Sequence, residues 1–343
     1  MRSRTGLHLD YLSHAEFEAA RGAARCAGVI GVATFDGSRP GPQDSTIPVA
    51  EVHTPMLGDA ASLYEVWRTQ QPVESGSHGQ VRYARTANML FGCIAVAESA
   101  AIINDRTPLY TATERAYREI LACLGALGFP HLIRVWNYVP EINRDTHGTE
   151  RYRQFNSARQ AALLADGRPV TGNVSAACAL GAAAGSPLVV YFLASHGAPT
   201  CIENPRQVSA YHYPPRYGTH SPTFSRAAVL HEPDGMTLFI SGTASIVGHQ
   251  TLHAGDPAAQ TRETLTNIEA LLEETNRVTG SDAFTLDSLA CKVYVRDPAD
   301  LPAIQGELRT ALGPAARTVY LQADICRRDL SVEIEAAAMA PPA

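Results

Sequence analysis

The sequence predicts an α/β (α+β) protein built from two related units. Segments patterned like helices and strands alternate, and the order helix, strand, helix, strand occurs twice at a spacing of about 150 residues. The chain has 343 residues, of which 45% are hydrophobic and 18% are charged. This length is enough to bury the core of two domains, and the composition is that of an ordinary globular protein. We therefore expect mixed β-sheets packed by helices in each unit.

The first half contains a helix whose apolar residues recur at helical spacing. Tyr117, Ile120, Leu121 and Leu124 lie on one face of it, and the Gly and Pro of the run at 128–131 predict its end. In chain order we predict a helix at 14–25, a strand at 26–35, a strand from Gly92, a helix from Thr111, a strand at 132–139, a helix at 149–166 and a strand at 187–195. Residues 37–90 are rich in Gly, Pro and Ser and are predicted to be irregular.

The second half repeats this order after a polar segment at 203–226 that is rich in Tyr and Arg. Asp256 followed by Pro257 predicts a helix N-terminus, and Leu265, Ile268 and Leu271 form an apolar stripe along that helix. We predict a strand at 236–247, a helix beginning at the Asp-Pro pair, a strand at 289–295, a helix from the second Asp-Pro pair at 297–298 to Leu312, and strand structure within 317–338.

The last of these strands carries two candidate acids. Val332 and Ile334 alternate with Glu333 and Glu335, so a strand would bury the two apolar residues on one face and present both carboxylates on the other. One of the glutamates is our candidate for a catalytic acid. The alternative is a pair of solvated surface residues, which is the commoner fate of a glutamate on the outer face of a strand.

A cysteine lies seven residues before Glu333 in a cationic stretch. Cys326 precedes Arg327 and Arg328, and cations directed at a thiol favour the thiolate. The alternative is that Cys326 is a small core residue, as most lone cysteines are.

Charge and hydropathy exclude several classes of protein. The formal net charge is −6, which does not favour binding to nucleic acid. No apolar run is long enough to cross a bilayer, and His8 and Asp10 interrupt the segment where a signal peptide would need its apolar core. We therefore expect a cytoplasmic protein that binds neither nucleic acid nor membrane.

Neither a metal nor a cofactor is predicted. The seven cysteines are scattered and form no CxxC pair, so a disulfide framework and a structural zinc site are both disfavoured. His249 and His253 have the spacing of two helical metal ligands, but Gly248 and Gly255 flank them and no third ligand is in view. There is no GxGxxG after a strand and no GxxxxGK[ST].

Residues 241–335 resemble the RidA/YjgF family. The motifs that carry this resemblance are 241–245, 260–272, 292–297 and 332–336, and together they follow the family's order of strand, helix, strand, helix, strand. The resemblance implies a pocket for small carboxylates near Arg317 and Glu333. The usual member of that family is much shorter, so the N-terminal half needs its own explanation. The second similarity, given next, implies two RidA/YjgF-like halves, which we assign to residues 1–170 and 171–343, with the catalytic strand in the second.

The chain as a whole is similar to the chorismatases. Three further motifs carry this similarity, at 151–163, 203–218 and 221–227. Chorismatases combine two RidA-like halves and remove pyruvate from chorismate, a dianion that arginine side chains are well suited to hold. The substrate-binding residues that the motifs imply are Tyr152, Arg159, Tyr211, Tyr213, Arg216 and Arg226. For each arginine the alternative is a surface salt bridge.

In this family Glu333 corresponds to the acid that protonates the enolpyruvyl methylene group. It must then hold a proton near neutral pH, which requires burial or a nearby negative charge from the substrate, Glu335 or Asp324. Cys326 and Gly242 match positions associated with formation of 3-hydroxybenzoate, so we expect Cys326 to assist a water-free route to that product. Gly242 has an alternative role in close backbone packing within a strand.

Other functions remain open from the sequence. The family includes chorismate hydrolases, which give a dihydroxycyclohexadiene carboxylate and pyruvate. A RidA-type enamine/imine deaminase would need only the second half, and a catalytically silent protein that binds small carboxylates would also be compatible with Arg317. Because one chain would contain two of the units that RidA proteins bring together as trimers, a monomer is plausible.

Overall fold

The structure is a computed structural model that describes residues 6–22, 28–35, 46–58, 63–99, 101–102, 104–233, 235–314 and 316–340. These residues form one four-stranded sheet, two six-stranded sheets and two short ribbons, with helices packed on the sheets. The predicted α/β class is confirmed. No helix in this described part of the chain is long and apolar enough to cross a membrane.

The four-stranded sheet is formed by the beginning of the chain. Its strands are β1 (His8–Ser13), β2 (Val29–Thr34), β3 (Val49–Glu51) and β4 (Leu63–Arg68), in the order β1-β4-β2-β3. Helix α1 (His14–Gly22) packs on this sheet through contact of Phe17 with Tyr64. The helix predicted at 14–25 and the strand predicted at 26–35 are therefore found in shorter form, and residues 23–27 lie outside the described residues.

The first six-stranded sheet has the order β11-β8-β12-β7-β6-β5. Its strands are β5 (Glu74–His78), β6 (Val81–Arg85), β7 (Met89–Val96), β8 (His131–Pro140), β11 (Ala176–Ala182) and β12 (Leu188–Ser195), while β9 (Asp145–Thr146) and β10 (Thr149–Glu150) form a small ribbon. Helices α2 (Pro108–Leu127) and α3 (Arg151–Ala165) cover one face with an apolar cluster. The prediction that residues 37–90 are irregular was wrong for the described part of that range, which contains β3 to β6 and the start of β7, whereas residues 37–45 and 59–62 lie outside the described residues. Strands such as β3 and β5 are short or polar and have no apolar alternation to reveal them.

The second six-stranded sheet has the order β13-β14-β15-β20-β18-β19. Its strands are β13 (Thr200–Ile202), β14 (Ala227–Glu232), β15 (Gly235–Ala244), β18 (Ala290–Val295), β19 (Arg317–Gln322) and β20 (Val332–Ala340), and β16 (Ile246–Val247) pairs with β17 (Gln250–Thr251). Helices α4 (Pro257–Thr279) and α5 (Leu301–Leu312) cover one face. The predicted cap is confirmed, since the side chain of Asp256 accepts a hydrogen bond from the amide of Ala259 and Pro257 begins the helix.

The two six-stranded sheets have the same topology. In each, three strands precede a helix, one strand separates the two helices, and two strands follow. Every neighbouring pair is antiparallel except the last, β8 with β11 and β18 with β19, which is parallel. The duplication suggested by the sequence is thus visible in the strand order. The domain boundary at residue 170 stays a prediction, and because β11 and β12 pair within the first sheet we propose that the first half extends to Ser195.

The pairing registers identify equivalent positions in the two halves. Tyr138 of β8 and Tyr294 of β18 are both buried, and their hydroxyls are 2.8 Å apart across the interface between the halves. Tyr138 pairs with Val189 of β12, and Tyr294 pairs with Glu333 of β20. Val189 in the first half therefore occupies the position that Glu333 holds in the second.

The Tyr- and Arg-rich segment at 203–226 is an insertion at a duplicated hairpin. It joins β13 to β14, whereas only residues 79–80 join the equivalent strands β5 and β6. It contains two 3-10 turns, Ala210–His212 and Pro215–Tyr217, and otherwise no regular element. The sheets supply the framework, and this insertion supplies a wall that the first half lacks.

The close contact between the four-stranded sheet and the first six-stranded sheet allows a test of the packing. A Cβ atom at Gly31 of β2 would lie 2.2–2.4 Å from ring carbons of Phe91. We expect Gly31→Ala to lower the free energy of unfolding by about 2 kcal/mol, because a packed core does not accept an extra methyl group. The measurement is urea unfolding followed by circular dichroism.

Gly125→Ala is the matched control. Gly125 lies in α2, and a Cβ atom there would meet nothing within 4 Å. This substitution should raise the free energy of unfolding by up to about 1 kcal/mol through helix propensity. Equal stabilities of the two variants would contradict the sheet packing described here.

Candidate active site

A cavity of about 480 Å³ lies where the two halves meet. The start of α3, the insertion at 203–226, the end of β15 with the β16–β17 ribbon, and residues 326–333 all contribute to its walls. The predicted site residues that line it are Tyr152, Tyr213, Arg226, Gly242, Cys326 and Glu333. Residues from three sequence motifs and the last strand are thus brought together.

Glu333 is buried, although the carboxyl group of a glutamate is normally charged and exposed to water. Both faces of β20 are covered, since Val332 and Ile334 pack in the cluster under α4 and α5 while Glu333 and Glu335 face the first half of the chain. Only 4% of Glu333 is exposed. The alternation predicted from the sequence is confirmed, and the alternative of solvated surface glutamates is wrong.

The surroundings of Glu333 favour its protonated form. Burial, and next the negative charge of Glu335, raise the pKa of Glu333 from its usual 4.5 to about 8. Three guanidinium groups oppose this rise, those of Arg134, Arg226 and Arg296. A carboxyl group that holds its proton at neutral pH can act as a general acid.

Two neighbours fix the position of the Glu333 carboxyl group. A Cβ atom at Gly242 would lie 1.9 Å from Oε1 of Glu333 and 3.2 Å from Cβ of Cys178, so only glycine leaves room for the carboxyl group in this place. On its other side, the thiol of Cys326 lies 4.0 Å from Oε2 and donates to it. The close packing considered for Gly242 from the sequence is therefore packing against the acid itself.

Cys326 is a thiol rather than a thiolate. Burial, and next the proximity of Glu333, raise its pKa from the usual 9.0 to about 12, and the cations of Arg327, Arg296 and Arg226 do not overcome this. The expectation that neighbouring arginines favour the thiolate is corrected for this reason. The group can donate a hydrogen bond but is a poor nucleophile at neutral pH.

Two arginines in the cavity wall, Arg226 and Arg327, form no salt bridge with a carboxylate among the described residues. Arg226 donates to the backbone oxygen of Val208 and to the hydroxyl of Tyr213, at 2.8 and 2.9 Å. Arg327 lies over the rings of Tyr217 and Tyr213, 4.1 and 5.1 Å from their centroids. Such guanidinium groups are held in place by neutral contacts and keep their charge available for an anion.

The other two arginines of the wall lie in ion pairs. Arg153 is 3.6 Å from Glu150, and Arg328 donates to Asp145. The cavity is lined by four arginines and by three acidic residues, Glu150, Asp329 and Glu333, and the pKa of Glu333 is raised. With Glu333 protonated, the four lining arginines outnumber the two remaining lining carboxylates, and Arg226 and Arg327 lie outside ion pairs, so the cavity is suited to an anionic ligand.

Four residues implied by the motifs do not line this cavity. Arg159 faces a second cavity of about 460 Å³, where it donates to Asn156 and lies over the ring of Phe155. Arg216 is exposed and bonds to His249. Tyr211 packs against its neighbour His212, and Arg317 is exposed at the start of β19. Their roles in binding stay predictions.

The sequence analysis did not select several wall residues. Arg327 was considered only as a charge beside Cys326, whereas Tyr217, Gln207 and Phe224 lie within the quoted motifs but were not chosen. Their membership in those motifs was the available signal. The contact of Arg327 with two tyrosine rings could not be predicted, because it depends on how the insertion folds back over residues 326–329.

Comparison with known proteins finds similar proteins over most of the chain. Residues 65–194 match the family model described as "Chorismatase FkbO/Hyg5-like, N-terminal". A chorismatase of Streptomyces hygroscopicus is 38% identical over 84% of this chain and 82% of its own length. A 3-hydroxybenzoate synthase of the same species is 39% identical over 86% of this chain and 87% of its own.

A solved structure has the same architecture. The crystal structure of a chorismatase is 33% identical in sequence, covers 98% of this chain and 100% of its own, and superposes with a TM-score of 0.87. The similarity therefore extends to both six-stranded sheets and to the four-stranded sheet.

The state of Cys326 can be tested directly. Because a pKa of about 12 leaves little thiolate at neutral pH, alkylation of Cys326 by iodoacetamide should keep accelerating with pH up to at least about pH 10. The measurement is peptide mass spectrometry of the native protein, with the same cysteine in urea-unfolded protein as the control. A rate that levels off near neutral pH would show a stabilised thiolate and contradict this assignment.

Proposed function

The chain belongs to the chorismatase family, and we propose that it is an enzyme that converts chorismate to 3-hydroxybenzoate and pyruvate. One observation carries the proposal: the carboxyl group of Glu333 is buried with a pKa of about 8, between Gly242 and Cys326, in a cavity with an excess of arginines. This arrangement supplies a proton donor beside a site for a dianion.

Arg226 and Arg327 are proposed to hold the two carboxylates of chorismate. Each guanidinium group is fixed by tyrosine contacts, and neither forms a salt bridge with a carboxylate among the described residues. Ion pairs formed in a closed pocket are stronger than those on the surface, because water screens them less. Tyr152, Tyr213 and Tyr217 provide further hydroxyl or ring contacts in the same wall.

Glu333 is proposed to start the reaction by protonating the methylene carbon of the enolpyruvyl group. The π electrons of the double bond form the new C–H bond, the side chain becomes an oxocarbenium ion, and Glu333 becomes a carboxylate. The nearby cations of Arg134, Arg226 and Arg296, which oppose protonation in the resting state, stabilise that carboxylate. Proton transfer by a positioned side chain typically contributes about 100-fold to 10,000-fold.

The 3-hydroxybenzoate route then requires no water. The oxygen of the ring 4-hydroxyl attacks the carbon that bears the ether, pyruvate leaves with the former ether oxygen, and the hydroxyl proton returns to Glu333. The attack closes a three-membered epoxide between the two ring carbons. The epoxide then opens at the carbon that carried the 4-hydroxyl, and the six-membered ring becomes aromatic as one ring hydrogen is transferred to the oxygen. Gly242 and Cys326 beside the acid support this route, as does the 3-hydroxybenzoate synthase among the relatives.

The hydrolytic route uses the same acid but sends water to the oxocarbenium carbon. It would give pyruvate and a dihydroxycyclohexadiene carboxylate. Pro222, Phe224 and Ile246 line the cavity near the proposed site, and their apolar surfaces favour the exclusion of water. The deaminase alternative would leave the inserted wall at 203–226 without a purpose, and the binding-protein alternative is distinguished by binding of chorismate without turnover.

Glu333→Gln should abolish pyruvate release, by at least about 100-fold in kcat, while chorismate still binds. The amide keeps the shape of the side chain but has no acidic proton to give. Coupled pyruvate release and isothermal titration measure the two quantities. Glu273→Gln, on the exposed side of α4, is the control and should match the unchanged enzyme; near-normal turnover of Glu333→Gln would rule out the assigned role.

Product analysis tests the route. We expect purified protein incubated with chorismate to form equal amounts of pyruvate and 3-hydroxybenzoate, identified by liquid chromatography and mass spectrometry. Pyruvate accompanied by the dihydroxycyclohexadiene acid would retain the family activity and overturn the water-free route. Absence of pyruvate, with turnover of 2-aminoacrylate or with binding alone, would instead support the deaminase or the binding protein.

A further inference from the structure

We propose that Glu335, held as a buried anion outside the cavity by an ion-pair network with Lys292, Arg134 and Glu65, keeps Glu333 in its acid form. Glu335 acts directly through its charge, and the other three are positioning residues that set how much of that charge Glu333 experiences. The inference rests on the proposed role of Glu333 as the acid. It adds residues from the four-stranded sheet and from the first half that do not line the cavity.

The network is continuous and almost completely buried. Lys292 Nζ lies 2.8 Å from Glu335 Oε1 and 2.5 Å from Glu65 Oε2, and Arg134 Nη2 lies 2.5 Å from Glu335 Oε2. No side chain of the four is more than 5% exposed. Two indole N–H groups also donate hydrogen bonds to the carboxylates of the network. Trp136 donates to Glu335 and Trp67 donates to Glu65, each at 2.8 Å.

The geometry couples this network to Glu333. Glu333 and Glu335 are two residues apart on the same face of β20, which places their Cα atoms about 7 Å from each other. Burial alone would raise the pKa of Glu335, but Lys292 and Arg134 outweigh it and lower the pKa below the usual value. Glu335 is therefore a permanent anion beside a carboxyl group that must stay neutral.

The duplicated half provides an internal comparison. Lys292 of β18 lies opposite Glu335 of β20 in the strand pairing of the second half. Tyr138 and Tyr294 are equivalent positions, so the residues at the equivalent place in the first half are Trp136 of β8 and Tyr191 of β12. The half that has Val189 in place of the acid thus has two uncharged aromatic residues in place of the ion pair. The first half therefore forms the same strand pairing without an ion pair at this position, so strand pairing alone does not require one.

Other ionisable groups face Glu333 from the elements packed around it, and they stay in place in the variants below. They are Tyr152 of α3, Cys178 of β11, Arg226 before β14, Tyr294 of β18, Arg296 after β18, and Cys326 and Arg327 before β20. Arg226 and Arg296 favour ionisation of Glu333, as does Arg134 within the network. The network has two cations and two anions, so removal of one anion leaves a net positive charge that also favours ionisation.

The test is a titration of the Glu333 carboxyl carbon in the free protein by ¹³C NMR with labelled glutamate, assigned by loss of its signal in Glu333→Gln. Glu335→Gln should lower the midpoint by about one pH unit or more, and Glu65→Gln should lower it less. The double variant Glu65→Gln/Lys292→Met removes an anion and a cation together, and should return the midpoint to that of the unchanged protein.

The same shifts should appear in activity. Because Glu333 must be protonated, kcat falls as the pH rises through its pKa, so the alkaline limb should move to lower pH in Glu335→Gln and Glu65→Gln and return in the double variant. A purely structural network would lower kcat without moving the limb, and would make the double variant worse than Glu65→Gln alone. Either result, or an unshifted NMR midpoint, overturns the inference.

The NMR titration separates this inference from the proposed function. It uses no substrate, so the sign of the midpoint shifts is decisive even if the protein releases no pyruvate from chorismate. If Glu335→Gln does not fold, as judged by circular dichroism, Glu65→Gln and the double variant still give the downward shift and its reversal, or refute them.

Discussion

Four buried charges determine how the three sheets meet. Lys292 lies in the second six-stranded sheet and contacts Glu65 of the four-stranded sheet, while Glu335 reaches Arg134 of the first six-stranded sheet. Moving such groups out of water costs several kcal/mol per ion, and only close pairing recovers it. An arrangement of the sheets that separated any one of these pairs would leave a buried charge without a partner. The position of the cavity follows, because Glu335 fixes the face of β20 on which Glu333 must lie.

The duplication explains why one site exists where two similar surfaces are present. Both sheets have the same strand order, and Tyr138 and Tyr294 meet between them. The first half has Val189 at the position of Glu333, and its β5–β6 turn lacks the inserted wall that the second half carries at 203–226. The proposed acid and the inserted wall thus belong to one copy, while the other copy contributes Tyr152 to the cavity and Arg134 to the buried ion pairs.

The sequence predicted well those features that are determined by residues close together in the chain. The cap at Asp256 and the alternation in β20 are of this kind. The alternation did not predict that the face with Glu333 would be buried. A strand that is buried on both faces can carry charged residues only when another part of the chain supplies partners for them, and those partners are distant in the sequence. For the same reason, the cationic stretch beside Cys326 suggested a thiolate, whereas burial keeps the thiol protonated. Arg327 entered the site through a loop that folds back on it, which no local pattern encodes.

The site has to reconcile two opposite electrostatic demands. Arginines that would hold a dianion also favour ionisation of Glu333, and an ionised Glu333 could not donate its proton. Burial and the fixed charge of Glu335 counter this effect in the empty cavity. Binding of a dianion would then neutralise the arginines and bring further negative charge near the acid, so the proton would be held more firmly in the complex than in the free protein. In the proposed reaction, Arg134, Arg226 and Arg296 would stabilise the carboxylate that remains after the proton has moved to the substrate. The same cations that constrain the resting state would then favour the transfer.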